Sequence, residues 1–147
     1  FMHNGQIGGY DRIRRRLEAM LPDDLYTNRH GTTDSELFFL LLFVHGLEEN
    51  PEEAIRRTIR LVDRLAAETG ATEPFRMTAA LSDGTNVYAI RHSTDDKPPS
   101  LYIGGTPEAL TVVSEPLDKD VRNWREVAPE RLVIAAAGHE PRVEALN

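Results

Sequence analysis

The sequence predicts an α+β fold, because two kinds of periodicity occupy different parts of the chain. Between residues 10 and 70, apolar side chains recur at the three- and four-residue spacing of amphipathic helices. From residue 75 onward, short apolar segments alternate with polar residues and are separated by turn sequences, which is typical of antiparallel strands. Helices followed by a run of strands indicate helices packed on the faces of sheets.

The first predicted helix follows the Gly8-Gly9 pair. Its apolar face is formed by Tyr10, Ile13, Leu17, Met20 and Leu21. Four arginines lie on the opposite face and are interpreted as solvated surface. Pro22 ends the helix, and residues 22–32 are predicted to form an irregular polar loop.

Two further helices have capping sequences. Thr33 and Glu36 have the spacing of a capping box, in which each side chain satisfies a backbone N–H at the helix start. The helix they begin is apolar on all sides from residue 37 to 44, so it should be buried on most sides. Asn50, followed by a proline and two acids, begins the third helix, and Gly70 is its predicted C-terminal cap.

The rest of the chain is predicted to form strands. Residues 75–81 and 87–91 flank an Asp-Gly turn and form a hairpin. Shorter strands are expected at 101–103, 110–114 and 132–137. The first two residues, Phe1-Met2, resemble the end of a buried strand whose beginning is absent. We therefore interpret the N-terminus as a cut, a processing product or a gap.

Size and composition exclude several classes of function. A chain of 147 residues can bury the core of one domain, and its net charge of −7 argues against a nucleic-acid partner. Five scattered histidines lack the spacing of a metal site, so no metal or cofactor is expected. No apolar run approaches the roughly 20 residues that span a bilayer, so no membrane partner is expected. No signal peptide is visible, which predicts a cytoplasmic location.

Asn4 and Gly5 form the first candidate site. Asn-Gly is the strongest two-residue signal for a hairpin turn, and this interpretation stays open. However, the next residues lead into a helix rather than into a returning strand. The alternative is an oxyanion hole, in which the Asn4 side-chain amide and the Gly5 backbone N–H point at one carbonyl oxygen. Such preorganised donors stabilise the charge that develops during amide hydrolysis by roughly 3–4 kcal/mol each.

Asp34 is the second candidate. An acid in the first turn of a helix is stabilised by the helix dipole, and this structural role is the simpler explanation. If Thr33 and Glu36 already cap the helix, Asp34 is free to bind a cation such as the α-ammonium group of an amino acid, with Thr33 beside it. His3 is a candidate for contact with the substrate or for a general base, although a packed structural histidine is favoured.

A nucleophile is missing from these candidates. The chain contains no cysteine. Ser35 and Ser114 have no histidine or aspartate at a spacing that indicates activation, so a serine nucleophile is rejected. The residues therefore indicate an amide-processing site of which this polypeptide is one part.

At these residues the chain resembles the class II glutamine amidotransferases of the N-terminal-nucleophile (Ntn) hydrolase superfamily. The likeness is carried by residues 1–7 (FMHNGQI) and 31–36 (GTTDSE). Residues 113–118 and 124–127 are similar to the stand-alone bacterial branch, which includes the γ-glutamyl hydrolase of ergothioneine synthesis. The resemblance implies an αββα four-layer sandwich, of which this chain supplies about three helices and several antiparallel strands. Residues 1–147 would then be the C-terminal portion of a single glutamine amidotransferase type-2 domain.

The resemblance also implies functions for the candidate residues. Asn4 and Gly5 correspond to the oxyanion hole, and Asp34 to the ligand of the glutamine α-amino group. Family members begin with a catalytic cysteine, whereas Phe1 has no reactive side-chain atom. This chain alone is thus expected to be inactive, with the cysteine on an upstream segment or a second chain.

Three functions remain open at this stage. The first is an enzyme that cleaves the γ-amide of glutamine or a γ-glutamyl compound, either as a single chain or as a homo-oligomer. The second is a non-catalytic domain that binds glutamine-like ligands. The third is a structural or protein-interaction domain in which Asn-Gly is merely a turn.

Overall fold

The computed structural model describes residues 1–106 and 109–146, apart from the side chain of Val121. Its contacts divide the chain into two compact units. A sheet unit contains residues 1–5 and everything from residue 76 onward, and a helical unit contains residues 6–75.

The described part of the helical unit contains four helices. These are α1 (Tyr10–Glu18), α2 (Asp23–Thr27), α3 (Asp34–Val44) and α4 (Pro51–Glu68). The predicted caps of the two longer helices are confirmed, since Thr33 accepts a hydrogen bond from the Glu36 N–H and Asn50 accepts one from the Glu53 N–H. Gly70 follows α4 with a φ of +65°, as a C-terminal glycine cap requires. No described helix is long and apolar enough to cross a membrane.

The core of the helical unit is formed where α3 packs against α1 and α4. Its fully buried side chains include Ile13, Leu17, Leu37, Phe38, Leu41, Ile55 and Val62. The predicted burial of α3 is confirmed, since five of its eleven residues are buried on several sides of the helix. Tyr10 and Met20 depart from the predicted apolar face of α1, because Tyr10 is only half-buried and Met20 is 38% exposed.

The predicted loop over residues 22–32 is wrong in part, because α2 lies within it. Pro22 occupies the N-cap position of α2, and two aspartates follow in its first turn, where the helix dipole favours negative charge. None of the residues of α2 is buried, so the segment lacks the apolar periodicity by which a helix is recognised in sequence.

The sheet unit contains two sheets. The larger has the order β1-β2-β3-β7-β8 and the smaller has the order β5-β4-β6. The strands are β1 (Met2–Gln6), β2 (Arg76–Ser82), β3 (Asn86–Ser93), β4 (Tyr102–Thr106), β5 (Ala109–Val113), β6 (Trp124–Glu126), β7 (Arg131–Ala136) and β8 (Arg142–Ala145). A 3-10 turn, Val121–Asn123, precedes β6. The last residue of β1, Gln6, belongs to the helical unit, so the first unit boundary along the chain falls between Gly5 and Gln6.

The predicted hairpin is confirmed. β2 and β3 pair antiparallel, with Arg76 opposite Ser93 and Ser82 opposite Val87. The strands predicted at 101–103, 110–114 and 132–137 correspond to β4, β5 and β7. The sequence analysis missed β6 and β8, which are only three and four residues long and are mostly exposed.

A buried arginine joins the two sheets of this unit. The Arg91 side chain on β3 is 7% exposed, and its guanidinium donates to the carbonyl of Pro99 at 2.7 Å and to the Glu126 carboxylate on β6 at 2.8 Å. It also donates to the carbonyl of Val127. Because a buried guanidinium is tolerated only when its donors are paired, these bonds fix β6 relative to β3. Val127 itself lies in an apolar core of this unit, together with Leu101 and Val133.

Candidate active site

Asn4 and Gly5 lie inside β1 and not in a hairpin turn, so the turn interpretation is wrong. The backbone of Gly5 has a φ of +138°, a conformation that residues with a side chain rarely adopt. A Cβ atom at this position would lie 2.0 Å from the carbonyl oxygen of Arg76 on the neighbouring strand β2. Glycine is therefore required here for the close approach of two strands.

The side chain of Asn4 is exposed and lies at a pocket of the sheet unit. The pocket has a volume of about 180 Å³ and is also lined by Thr78, Leu101 and Ser114. No hydrogen bond joins the Asn4 amide to the residues that the structure describes. Its N–H donors are accordingly available to a ligand in the pocket, as an oxyanion hole requires.

The apolar residues before Asn4 are not buried, contrary to prediction. Phe1 is 39% exposed and Met2 is 71% exposed. Within the described chain β1 has a neighbouring strand on one side only, so less of its surface is covered. His3 is half-buried, lines the same pocket as Asn4 and has its ring 6.4 Å from that of Phe1.

The capping box at the start of α3 is only half formed. Thr33 accepts from the Glu36 N–H at 3.2 Å, as predicted. The Glu36 carboxylate, however, accepts from the N–H groups of His30 and Gly31, both at 2.7 Å. These backbone hydrogen bonds lower the pKa of Glu36. Glu36 therefore fixes the loop before the helix, where two N–H groups would otherwise lack a partner.

Asp34 is not as free as predicted. Its Oδ2 atom accepts from the backbone N–H of Ile7 at 2.8 Å, and its Oδ1 atom accepts from the N–H of Ser35 at 2.8 Å. The Ser35 hydroxyl also donates to Oδ1, at 3.4 Å. A carboxylate oxygen can accept two hydrogen bonds, so Oδ2 keeps one acceptor site for a cation. The carboxylate is thus held in a fixed orientation while it retains the capacity to bind an ammonium group.

A pocket of about 400 Å³ surrounds Asp34 within the helical unit. Its lining includes three carboxylates, from Asp11, Asp34 and Glu73, and one guanidinium, from Arg12. This excess of negative charge favours a cationic group over an anionic one. No cluster of three residues that could hold a metal ion occurs among the described residues.

The candidate residues fall into two groups. His3, Asn4 and Gly5 belong to the sheet unit, and Thr33 and Asp34 belong to the helical unit. His3 and Asn4 line one pocket, with Gly5 next in sequence, and Thr33 and Asp34 lie at the start of α3. The chain itself links the groups, because Ile7, which donates to Asp34, follows Gly5 by two residues.

Comparisons with known proteins complete this description. No protein-family model matches the chain, and no curated protein matches it. A solved structure of a glutamine aminotransferase class-II domain protein from Silicibacter pomeroyi is 37% identical, with a TM-score of 0.87 over 98% of this chain. This chain is thus similar, over nearly its whole length, to a class II glutamine aminotransferase domain protein. It spans 65% of the length of that Silicibacter chain.

A second solved structure resembles this chain in fold alone. It is the glutamine phosphoribosylpyrophosphate amidotransferase from B. subtilis, described in complex with ADP and GMP, and the two are 17% identical with a TM-score of 0.70. The likeness covers 99% of this chain and 28% of the B. subtilis chain. The predicted α+β class, with an Ntn-hydrolase-like arrangement of helices and antiparallel sheets, is confirmed. The number of helices differs from the prediction because of α2.

Sequence reasoning missed the groups that hold Asp34. Ile7 donates through its backbone, which leaves no signature in the side-chain pattern. Tyr10 was assigned to the apolar face of α1, but its hydroxyl donates to the carbonyl of Thr33 at 3.2 Å. A half-buried tyrosine usually places its hydroxyl against a partner, and this tendency is the signal that could have identified it.

Proposed function

We propose that residues 1–147 are the C-terminal portion of a class II glutamine amidotransferase domain that hydrolyses the γ-amide of glutamine or of a γ-glutamyl compound. The nucleophilic cysteine is supplied by an upstream segment or by a second chain. The observation that carries the proposal is the 37% identity over 98% of this chain to a class II domain protein. The enzyme acts on its small-molecule substrate in the cytoplasm, without a cofactor.

Asn4 and Gly5 stabilise the oxyanion in this proposal. When a thiolate attacks the amide carbon, the carbonyl π electrons move to oxygen and a tetrahedral oxyanion forms. The Asn4 amide and the Gly5 N–H donate to that oxygen. The intermediate then collapses, the C–N bond breaks, and the nitrogen accepts the proton that the thiol lost and leaves as ammonia. Water hydrolyses the remaining thioester to give glutamate and to restore the thiol.

Asp34 orients the substrate in this proposal. Its carboxylate, fixed by Ile7 and Ser35, accepts a hydrogen bond from the α-ammonium group of glutamine. Thr33 places Asp34 at the helix start, and His3 lines the substrate pocket beside Asn4. The excess of carboxylates around Asp34 adds to the preference for a substrate with a free amino group.

We predict that Asp34→Asn in the complete protein, with its cysteine, raises the KM for L-glutamine about 10- to 100-fold, because a charge-assisted hydrogen bond contributes roughly 1.5–3 kcal/mol. Glutaramate has the same γ-amide but no α-ammonium group, so the variant should hydrolyse it with an unchanged KM. Glutamate or glutarate release from each substrate is the measurement.

The matched control is Asp23→Asn, an acid in the first turn of α2 that lies outside the pocket. It should leave both KM values unchanged. Equal KM values for L-glutamine in wild type and Asp34→Asn would refute the role of Asp34. Tight binding of glutamine with no glutamate release by the complete wild-type protein would instead favour the non-catalytic binding domain.

A further inference from the structure

Tyr10 connects the start of α1 to the segment that carries Asp34. Its backbone N–H donates to the carbonyl of Ile7 at 3.2 Å, and its hydroxyl donates to the carbonyl of Thr33 at 3.2 Å. All of these residues belong to the helical unit. One tyrosine thus contacts the turn that supplies the Ile7 donor and the peptide that leads into Asp34.

The orientation of Asp34 depends on the position of the Thr33 carbonyl. The carbonyl of Thr33 and the N–H of Asp34 belong to the same planar peptide unit. A hydrogen bond that fixes this carbonyl therefore also fixes the backbone from which the Asp34 side chain extends. The carboxylate is fixed independently at its other end by Ile7 at 2.8 Å.

The surroundings of Tyr10 favour a neutral phenol that donates a hydrogen bond. Burial raises the pKa of Tyr10, although nearby Arg29 and Arg14 lower it in part. The guanidinium of Arg14 lies 6.0 Å from the centre of the ring. The hydroxyl therefore keeps its proton throughout the neutral pH range and can donate it to Thr33.

Tyr10 also forms part of the wall of the pocket that contains Asp34. The proposed oxyanion step uses the Asn4 amide and the Gly5 N–H and requires neither the hydroxyl nor the ring of Tyr10. A change at Tyr10 should consequently affect how the ammonium end of the substrate is held and leave the amide end unaffected.

We propose that Tyr10 is a positioning residue for the substrate ammonium group. It acts through Asp34, and its hydroxyl sets the specificity of the enzyme for amides that carry a free α-amino group. This inference rests on the proposed function, since it requires that Asp34 binds the ammonium group.

The test is Tyr10→Phe in the complete protein, which removes one hydroxyl and keeps the ring. We expect the KM for L-glutamine to rise about five- to tenfold while kcat stays within twofold. The KM for glutaramate, which has no ammonium group, should not change. A loss of packing alone would alter the kinetics with both substrates. A change in KM for L-glutamine but not for glutaramate therefore distinguishes a positioning role from a structural role.

Tyr26→Phe is the matched control, because Tyr26 is 52% exposed on α2 and lies outside the pocket. This variant should leave kcat and KM for both substrates unchanged. Unchanged kinetics in Tyr10→Phe, or equal changes for the two substrates, would overturn the inference.

The Asp34→Asn variant separates this inference from the proposed function. If Asp34→Asn abolishes the lower KM for L-glutamine relative to glutaramate but Tyr10→Phe retains it, only the proposed role of Tyr10 is refuted. If Asp34→Asn also retains the lower KM for L-glutamine, the proposed ammonium site itself is refuted.

Discussion

Asn4→Ala should lower kcat for glutamate release by the complete protein about 100- to 1,000-fold, the effect of removing one oxyanion-hole donor. The KM should change little, because the donor is required by the charged intermediate more than by the neutral amide. The Asn4 amide has no hydrogen-bond partner among the described residues, so its removal should not destabilise the fold. Initial rates with saturating L-glutamine are the measurement.

Asn123→Ala is the control for this variant. Asn123 is exposed in the same unit, and its side chain makes one weak contact with Asp118 at 3.5 Å. It should retain the wild-type rate. A fully active Asn4→Ala variant would show that the Asn4 amide does not stabilise the intermediate.

Gly5→Ala should destabilise the sheet unit by about 4 kcal/mol, through backbone strain and a steric clash. Part of this cost is the unfavourable φ of +138° for a residue with a side chain. The rest comes from the clash of the new Cβ atom, which would lie 2.0 Å from the Arg76 carbonyl oxygen. Relief of that clash requires β1 to move away from β2. Denaturant unfolding measures the loss, and failure to obtain folded protein would agree with it.

Gly84→Ala separates the two contributions to this cost. Gly84 also has a positive φ, +91°, but nothing lies within 4 Å of a Cβ atom placed there. Its replacement should therefore cost only about 1–2 kcal/mol, from backbone strain alone. Equal losses in the two variants would contradict the proposed close approach of β1 and β2.

Features that depend on neighbouring residues were predictable from the sequence. Thr33 and Asn50 cap their helices by contacts with residues three positions later, and such spacings are visible in the sequence. The β2–β3 hairpin is likewise determined by alternation around an Asp-Gly turn. In each case the residues that determine the local structure lie close in sequence to the residues that adopt it.

Features that depend on distant residues were not predictable. The hydrogen bond from Ile7 to Asp34 spans 27 positions, and the donor is a backbone group that every non-proline residue has. Glu36 has the correct spacing for a capping box, but its carboxylate binds the preceding loop because two N–H groups there lie within reach. The short strand β6 is held in part by Arg91, which lies 35 positions away from Glu126.

In the candidate site, too, the features that depend on neighbouring residues were predictable and those that depend on distant residues were not. The resemblance identified Asn4, Gly5 and Asp34, and local reasoning supplied the chemistry that each residue type can perform. The strained backbone of Gly5 and the two donors that orient Asp34 required coordinates, since both arise from contacts with other elements. These two contacts explain why a glycine and an aspartate occupy these positions.

Under the proposed function, this chain supplies the charge-stabilising groups for cleavage of a γ-amide, and a cysteine outside residues 1–147 attacks that amide. Release of glutamate and ammonia from L-glutamine by the complete protein tests this claim most directly. We expect equal amounts of the two products, with loss of activity when the cysteine is alkylated. No release of either product from L-glutamine or from γ-glutamyl amides by the folded, unmodified protein would contradict it.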